Sequence, residues 1–164
     1  MNRLGFTGTL RGMSPLQKRV FVKFITMLLE RKMIKEFHHG DAIGADYDAH
    51  YIVKHLSDNT VGNPIKIYIH PPINISKRAF CKGAYFTHEA KEYLVRNKDI
   101  VNDSDIMTAT PKEREEQWRG SGTWATIRYS KKKNKPLSVI HSDGKVEIFN
   151  KPVEVDDTLA KIFG

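Results

Sequence analysis

Five short apolar segments, LGFTG at 4–8, EFHHG at 36–40, IKIYIH at 65–70, IMTATP at 106–111 and PLSVIH at 136–141, recur along the chain with helical-period stretches between them. This alternation constrains the fold strongly. Strands joined through helices run parallel with right-handed crossovers and build a layered α/β domain with a mostly parallel sheet. The 164 residues, 40% of them hydrophobic, suit a chain with an ordinary core; lacking an internal repeat or low-complexity linker, residues 1–164 read as a single domain.

The first helix has the best-specified start. In SPLQKRVFVKFITMLLERKMIKE, Ser14 caps, Pro15 suits the first helical position and Gln17 completes a capping box. Leu16, Val20, Phe24 and Leu28, with Phe21, Ile25 and Leu29 on the adjoining row, form the face expected to pack on the sheet. DAIGADYDAHYIVKHLSD reads as a second helix, with Ile43, Ala45, Ala49, Ile52, Val53 and Leu56 at roughly helical period. HEAKEYLVRNKDIVND at 88–103 and GTWATIRYSKKKNK at 122–135 read as two more, and residues 73–87 as a long irregular excursion. After the SDG turn at 142–144, KVEIFN forms an edge strand or hairpin, and DDTLAKIFG a short closing helix.

Charge and cysteine usage narrow the setting. A net charge of +8 and a pI near 9.5 favour phosphorylated small molecules or polyanions as partners. The basic runs RKMIK at 31–35 and KKKNK at 131–135 read as solvated faces. Lone Cys81 excludes an intrachain disulfide and favours a reducing, cytoplasmic setting; residues 1–12 lack a signal-peptide core, and no window has the apolar length of a membrane helix, so no membrane partner is expected.

Several chemistries find no support. The opening LGFTGTLRG is not GxGxxG, no GxxxxGK[ST] occurs, and Ser121 is not in a GxSxG elbow. Histidines 38, 39, 50, 55, 70, 88 and 141 lack a recognisable pairing with cysteines and HEAKE is not HExxH, so neither a metal nor another cofactor is expected. Three glycine-bearing segments, TGTLRG at 7–12, HGDAIGAD at 39–46 and RGSGTW at 119–124, instead converge at the carboxyl edge of the sheet, where amides and helix dipoles hold anions. Asp46, at a helix start, either caps amides or holds a ribose hydroxyl. His39, Asp41, Asp48 and His50 divide likewise between polar network and ligand contact.

The ordered set GFTGT, HGDAIGAD, YIHP, YLVRNKDIV, SDIMTATP and GSGTWATIRYSKKKNKP, spanning about residues 4–140, resembles the SLOG superfamily of Rossmann-like proteins. That superfamily includes lysine-decarboxylase-like phosphoribohydrolases, the DNA-processing protein A family and sensors of nucleotide-derived signals. The resemblance implies a three-layer Rossmann-like domain. It places Thr7, Gly8 and Arg11 in a first anion loop and Gly40, Gly44, Ala45 and Asp46 in a second. It matches Arg96 and Asn97 to the family's RN segment and Gly120, Gly122 and Thr123 to its PGGxGT region, with Arg119 and Ser121 beside them. Trp124 is a candidate for stacking on a base, with Tyr129 closing its edge. The chain departs from the phosphoribohydrolase pattern PGGxGTxxE by having Thr126 at the carboxylate position, which removes the group expected to support glycosidic cleavage.

The leading expectation is a protein that senses or sequesters a nucleotide or nucleotide-derived phosphorylated signal, cyclic nucleotides and ADP-ribose derivatives included. An N-glycosidic hydrolase acting on a nucleoside monophosphate or ADP-ribose-like compound is the principal alternative, with carboxylate help from Glu113, Glu115 or Glu116 less favoured than their solvation. Single-stranded DNA binding ranks third, because no basic and aromatic platform is visible. A homo-oligomer built around the 73–87 excursion is expected.

Overall fold

Strand β1 (Arg3–Gly8) occupies the middle of a seven-stranded sheet ordered β4-β3-β2-β1-β5-β6-β7. The computed structural model describes residues 2–62 and 64–151. Within them the remaining strands are β2 (Glu36–His39), β3 (Lys66–Ile69), β4 (Phe86–Thr87), β5 (Ile106–Thr110), β6 (Leu137–Ile140) and β7 (Val146–Phe149). The four α-helices are α1 (Pro15–Glu30), α2 (Ala45–Asp58), α3 (Tyr93–Asp103) and α4 (Gly122–Lys132). Neighbouring strands pair in parallel except β6 with β7, an antiparallel hairpin joined through the SDG turn. The three-layer, mostly parallel α/β architecture read from the sequence is therefore present.

Helix α1 begins as its sequence dictates. Ser14 Oγ accepts the Gln17 amide at 3.1 Å, and Gln17 Oε1 accepts the Ser14 amide at 2.9 Å. The buried Gln17 side chain then donates to the carbonyls of Pro111 and Ile140, so this capping residue also ties the helix to the ends of β5 and β6. Phe21, Phe24, Ile25, Leu28 and Leu29 enter a core shared with Phe6, Phe37 and α2, where the Phe6 ring lies 5.4 Å from Phe21 and 6.1 Å from Phe37. A second core on the opposite face joins Ile100 and Val101 of α3 to Trp124 and Ile127 of α4 over Met107, Leu137 and Val139.

Some apolar expectations fail at helix ends. Leu16 stays 43% exposed because it lies in the first turn of α1, where only the β6–β7 turn at Gly144 runs past it. Ile43 precedes α2 and is exposed, while Ala45, Ala49 and Val53 are buried. Helix α3 starts at Tyr93 rather than near His88: Lys91 bridges in parallel to Pro72, and the Glu92 carboxylate accepts the Leu94 amide as cap.

The 73–87 excursion contains a 3-10 turn (Ile75–Lys77) and ends in β4. It docks onto the β2–α2 loop through buried Asp41, whose carboxylate accepts Arg78 Nε and the Cys81 amide, both at 2.9 Å. The closing helix expected at 156–164 lies outside the described residues. Among the described residues no helix is long and apolar enough to cross a membrane.

Candidate functional site

Adding strands outward from β1 to β4, then crossing back to β5, reverses the strand order between β1 and β5. A crevice forms at the carboxyl ends of the strands where such a reversal occurs. Here it is a cavity of about 750 Å³ whose walls come from the β1–α1 loop, the β2–α2 loop, the start of the 73–87 excursion, α3 and the loop before α4.

All three glycine-bearing segments reach this cavity, but they contribute different chemistry. From the first come Thr7, Gly8, Thr9, Leu10 and the exposed Arg11. The second contributes Ala42 and Asp46, and the third Gly120, Ser121, Gly122 and Thr123. Arg96 and Asn97 of α3 complete the wall.

Gly40, Gly44 and Ala45 do not line the cavity, because their loop is closed on itself. The Gly40 carbonyl accepts Arg96 Nη1, and a Cβ at Gly40 would occupy the place of that guanidinium. Gly44 has φ +90° and lies against the Leu10 carbonyl, while the Ala45 amide donates to Thr9 O at 2.9 Å. Both a left-handed φ and a close backbone approach thus require glycine at 44. The α2 N-terminus, expected as an anion cradle, is covered by the β1–α1 loop.

Polar neighbours of that loop form an internal network. The Asp41 amide donates to His39 Nδ1 at 3.0 Å, which assigns the His39 proton to Nε2. That nitrogen donates to His50 Nδ1 at 2.9 Å, and His50 Nε2 donates to the Lys82 carbonyl at 2.7 Å. Burial pushes both imidazoles down from their ordinary pKa, so the chain of donors runs through neutral rings. Asp48 accepts the Met13 amide at 3.0 Å. For His39, Asp41, Asp48 and His50 the network reading describes the geometry.

Arg96 is a structural clamp as well as a wall residue. Its Nη1 donates to the carbonyls of Gly40 and His70, and its Nε to Asn97 Oδ1 at 2.6 Å. Beside it, Asp46 Oδ2 accepts the Ala42 amide at 3.1 Å; burial pushes this carboxyl up to about 6, against the downward pull of the Arg96 charge.

The α4 N-terminus is the open one. Ser121 Oγ caps the Trp124 amide at 3.2 Å, and Ala125 N bonds to Ser121 O. Among the described residues no protein group accepts the Gly122 or Thr123 amide. Two first-turn donors and the positive end of a helix dipole therefore stand at the cavity wall. Arg11, Lys77 and Lys112 add cationic side chains, whereas Asp46, Glu92 and Glu113 add carboxyls.

Other expectations need correction. Trp124 is 6% exposed and packs among Ile100, Val101 and Met107, so its ring belongs to the core and is not available to a base. Its position in the first turn of α4 turns it toward the sheet. Tyr129 lies between Lys98 and Lys133 with its hydroxyl on Asn102, away from the cavity. Arg119 is exposed and lies outside the wall. Thr126 Oγ1, at the position where the phosphoribohydrolase pattern has a carboxylate, donates to the Gly122 carbonyl. Glu113 reaches the wall, and Glu115 and Glu116 do not. Cys81 is no nucleophile in waiting, because burial and Asp41 raise its thiol pKa.

Sequence reasoning missed wall residues in Pro72, Ile73, Asn74, Lys77 and Tyr93. The available signal was the Pro71–Pro72 stop, which ends β3 at the same sheet edge as the two glycine loops.

The fold has counterparts of known structure. A molybdenum cofactor binding protein from the phototrophic bacterium Rippkaea orientalis is similar with a TM-score of 0.62 and 14% identity, over 98% of this chain and 83% of that one. The structural-genomics protein TM1055 is similar with a TM-score of 0.50 and 11% identity, over 84% of this chain and 72% of that one. At such identities the likeness shows a shared fold. No family model and no curated protein matches the chain, so its resemblance to SLOG proteins rests on the motifs.

Proposed function

We propose that this chain binds a nucleotide or nucleotide-derived phosphorylated small molecule in the β1–β5 cavity, as a SLOG-like sensor or sequestering protein. The carrying observation is the pair of unaccepted amides at Gly122 and Thr123, opening into a cavity of about 750 Å³ at the strand-order reversal. A phosphate at these amides has the helix dipole behind it, and Arg11, Lys77 and Lys112 line the same cavity. Asp46 and Asn97 offer acceptors and donors to a sugar edge, and the apolar Ile73 and Tyr93 flank the space left for a base. The likeness to a cofactor-binding protein supports the same class of ligand. A cytoplasmic location and self-association through the 73–87 excursion belong to the proposal.

Ligand-release mass spectrometry on natively purified protein, followed by calorimetric titration with mononucleotides, cyclic nucleotides and ADP-ribose-like compounds, tests it. Saturable binding of at least one compound is expected. Its absence across the series in both monomer and oligomer refutes the proposal.

A hydrolytic reading draws on the place of Asp46 in the cavity wall, where burial pushes its carboxyl up to about 6, a range suited to general acid-base work. It predicts release of free base from a bound nucleoside phosphate and its loss in Asp46→Asn. Tight binding without product eliminates it.

A further inference from the structure

On the far side of Arg96 from the candidate pocket, three groups remote in sequence meet. His38 lies on β2, His70 follows β3 on the neighbouring parallel strand, and Asp103 ends α3. His38 Nδ1 is 3.0 Å from His70 Nε2, which is 4.0 Å from Asp103 Oδ2, and one ligand atom from each residue falls within 4.8 Å of the other two. We propose that these three atoms bind one divalent transition-metal ion of the zinc class.

The donor set is the first argument. Two imidazoles and one carboxylate suit borderline divalent ions, and three protein ligands leave a position for water. Two nitrogens bound tetrahedrally at ~2.0–2.1 Å are separated by roughly 3.3 Å, close to the observed pair. The Asp103 side chain is 46% exposed and shares a cavity wall with His70.

The surroundings are the second. The His38 ring stacks on Tyr68 at 4.7 Å and 10°, and the His70 ring on His88 at 4.1 Å and 17°, so both imidazoles are fixed before any ion arrives. His38 Nε2 is buried without a hydrogen-bond partner and lies 3.5 Å from Glu36 Oε1. A carboxylate on that side of the ring is the kind of partner that orients a metal-bound imidazole, once the pair closes to hydrogen-bonding distance. A cavity of about 350 Å³, lined by His70, His88, Asp99 and Asp103 among others, reaches two of the three groups. Two cations border it: Lys91 is ion-paired with Asp99 at 2.7 Å, and Arg96 has its guanidinium turned onto the carbonyls of Gly40 and His70.

A single hydrogen bond between neutral imidazoles is the competing account. It satisfies the facing nitrogens but assigns no role to Asp103 or to the orphaned His38 Nε2.

Untagged protein spanning residues 1–164, stripped with chelator and dialysed, is titrated with Zn²⁺ by calorimetry and with Co²⁺ by visible absorption. One equivalent of Zn²⁺ and the intense absorption of low-coordinate Co²⁺ are expected. Asp103→Asn, at a half-exposed position, and His70→Gln each lower Zn²⁺ affinity at least about tenfold, and Glu36→Gln does so more weakly. His55→Gln, at an exposed histidine outside the cluster, leaves it unchanged. Absence of stoichiometric binding, or equal affinity in wild type and Asp103→Asn with circular dichroism showing both folded, overturns the proposal.

Discussion

The two glycine-rich loops that follow β2 and β5 read alike in sequence and behave oppositely in the fold. HGDAIGAD turns inward: Gly40 meets a guanidinium, Ala45 meets Thr9, and Asp41 holds the excursion. RGSGTW leaves Gly122 and Thr123 open to the cavity. Glycine near a helix start therefore marks a close backbone approach, and what approaches, protein or ligand, is settled by the neighbouring chain. At the second loop the neighbour is the β1–α1 turn.

The largest expected effect tests the closed loop. Arg96→Leu removes donors from two carbonyls and from Asn97, and should cost ~3–5 kcal/mol by urea unfolding. Arg96→Lys should recover only part, since a single ammonium lacks the fork that serves them. Wild-type stability in Arg96→Leu would show that the loop stands without its clamp.

Asp46→Asn comes next, with the opposite sign. The folded carboxyl pKa of about 6 lies above the ordinary 3.8, so the destabilisation is absent below 3.8, grows as pH rises and is complete above 6. Asn keeps an acceptor for the Ala42 amide and should stabilise by ~2–3 kcal/mol near pH 7.5, with a gain smaller by about 1 kcal/mol near pH 5. A gain independent of pH would mean that Asp46 does not titrate in this range.

The open loop is tested through affinity. Gly122→Pro deletes one amide at the first helical position, after a Ser121 already extended at φ −131° and ψ 108°, and a Cβ at 122 comes no nearer than 3.5 Å to the Tyr93 ring. Stability should stay within about 0.5 kcal/mol while affinity for the ligand from the mass-spectrometric screen falls roughly tenfold, about 1.4 kcal/mol. Unchanged affinity would move the phosphate elsewhere. Smallest of all, Arg119→Ala should alter neither stability nor affinity by more than about 0.5 kcal/mol.

Local signals carried much of the fold. The Ser14–Gln17 box, Pro15 and the strand segments needed only neighbours in sequence, and they appear as read. What sequence could not supply was the facing partner. Leu16 has the helical phase of a core residue but sits beyond the sheet, and Trp124 adjoins a cavity-lining loop but faces the second core. The convergence of segments 7–12, 39–46 and 119–124 on one cavity was legible, because parallel topology sends their loops to one edge. The meeting of His38, His70 and Asp103 was not, since it depends on strand register and on the length of α3.

Arg96 lines both cavities, as a partition between two chambers. An occupant on one side that shifts the guanidinium alters the other chamber through the carbonyls of Gly40 and His70. Such coupling must be mutual: whatever factor an ion changes a phosphate's affinity by, the phosphate returns to the ion.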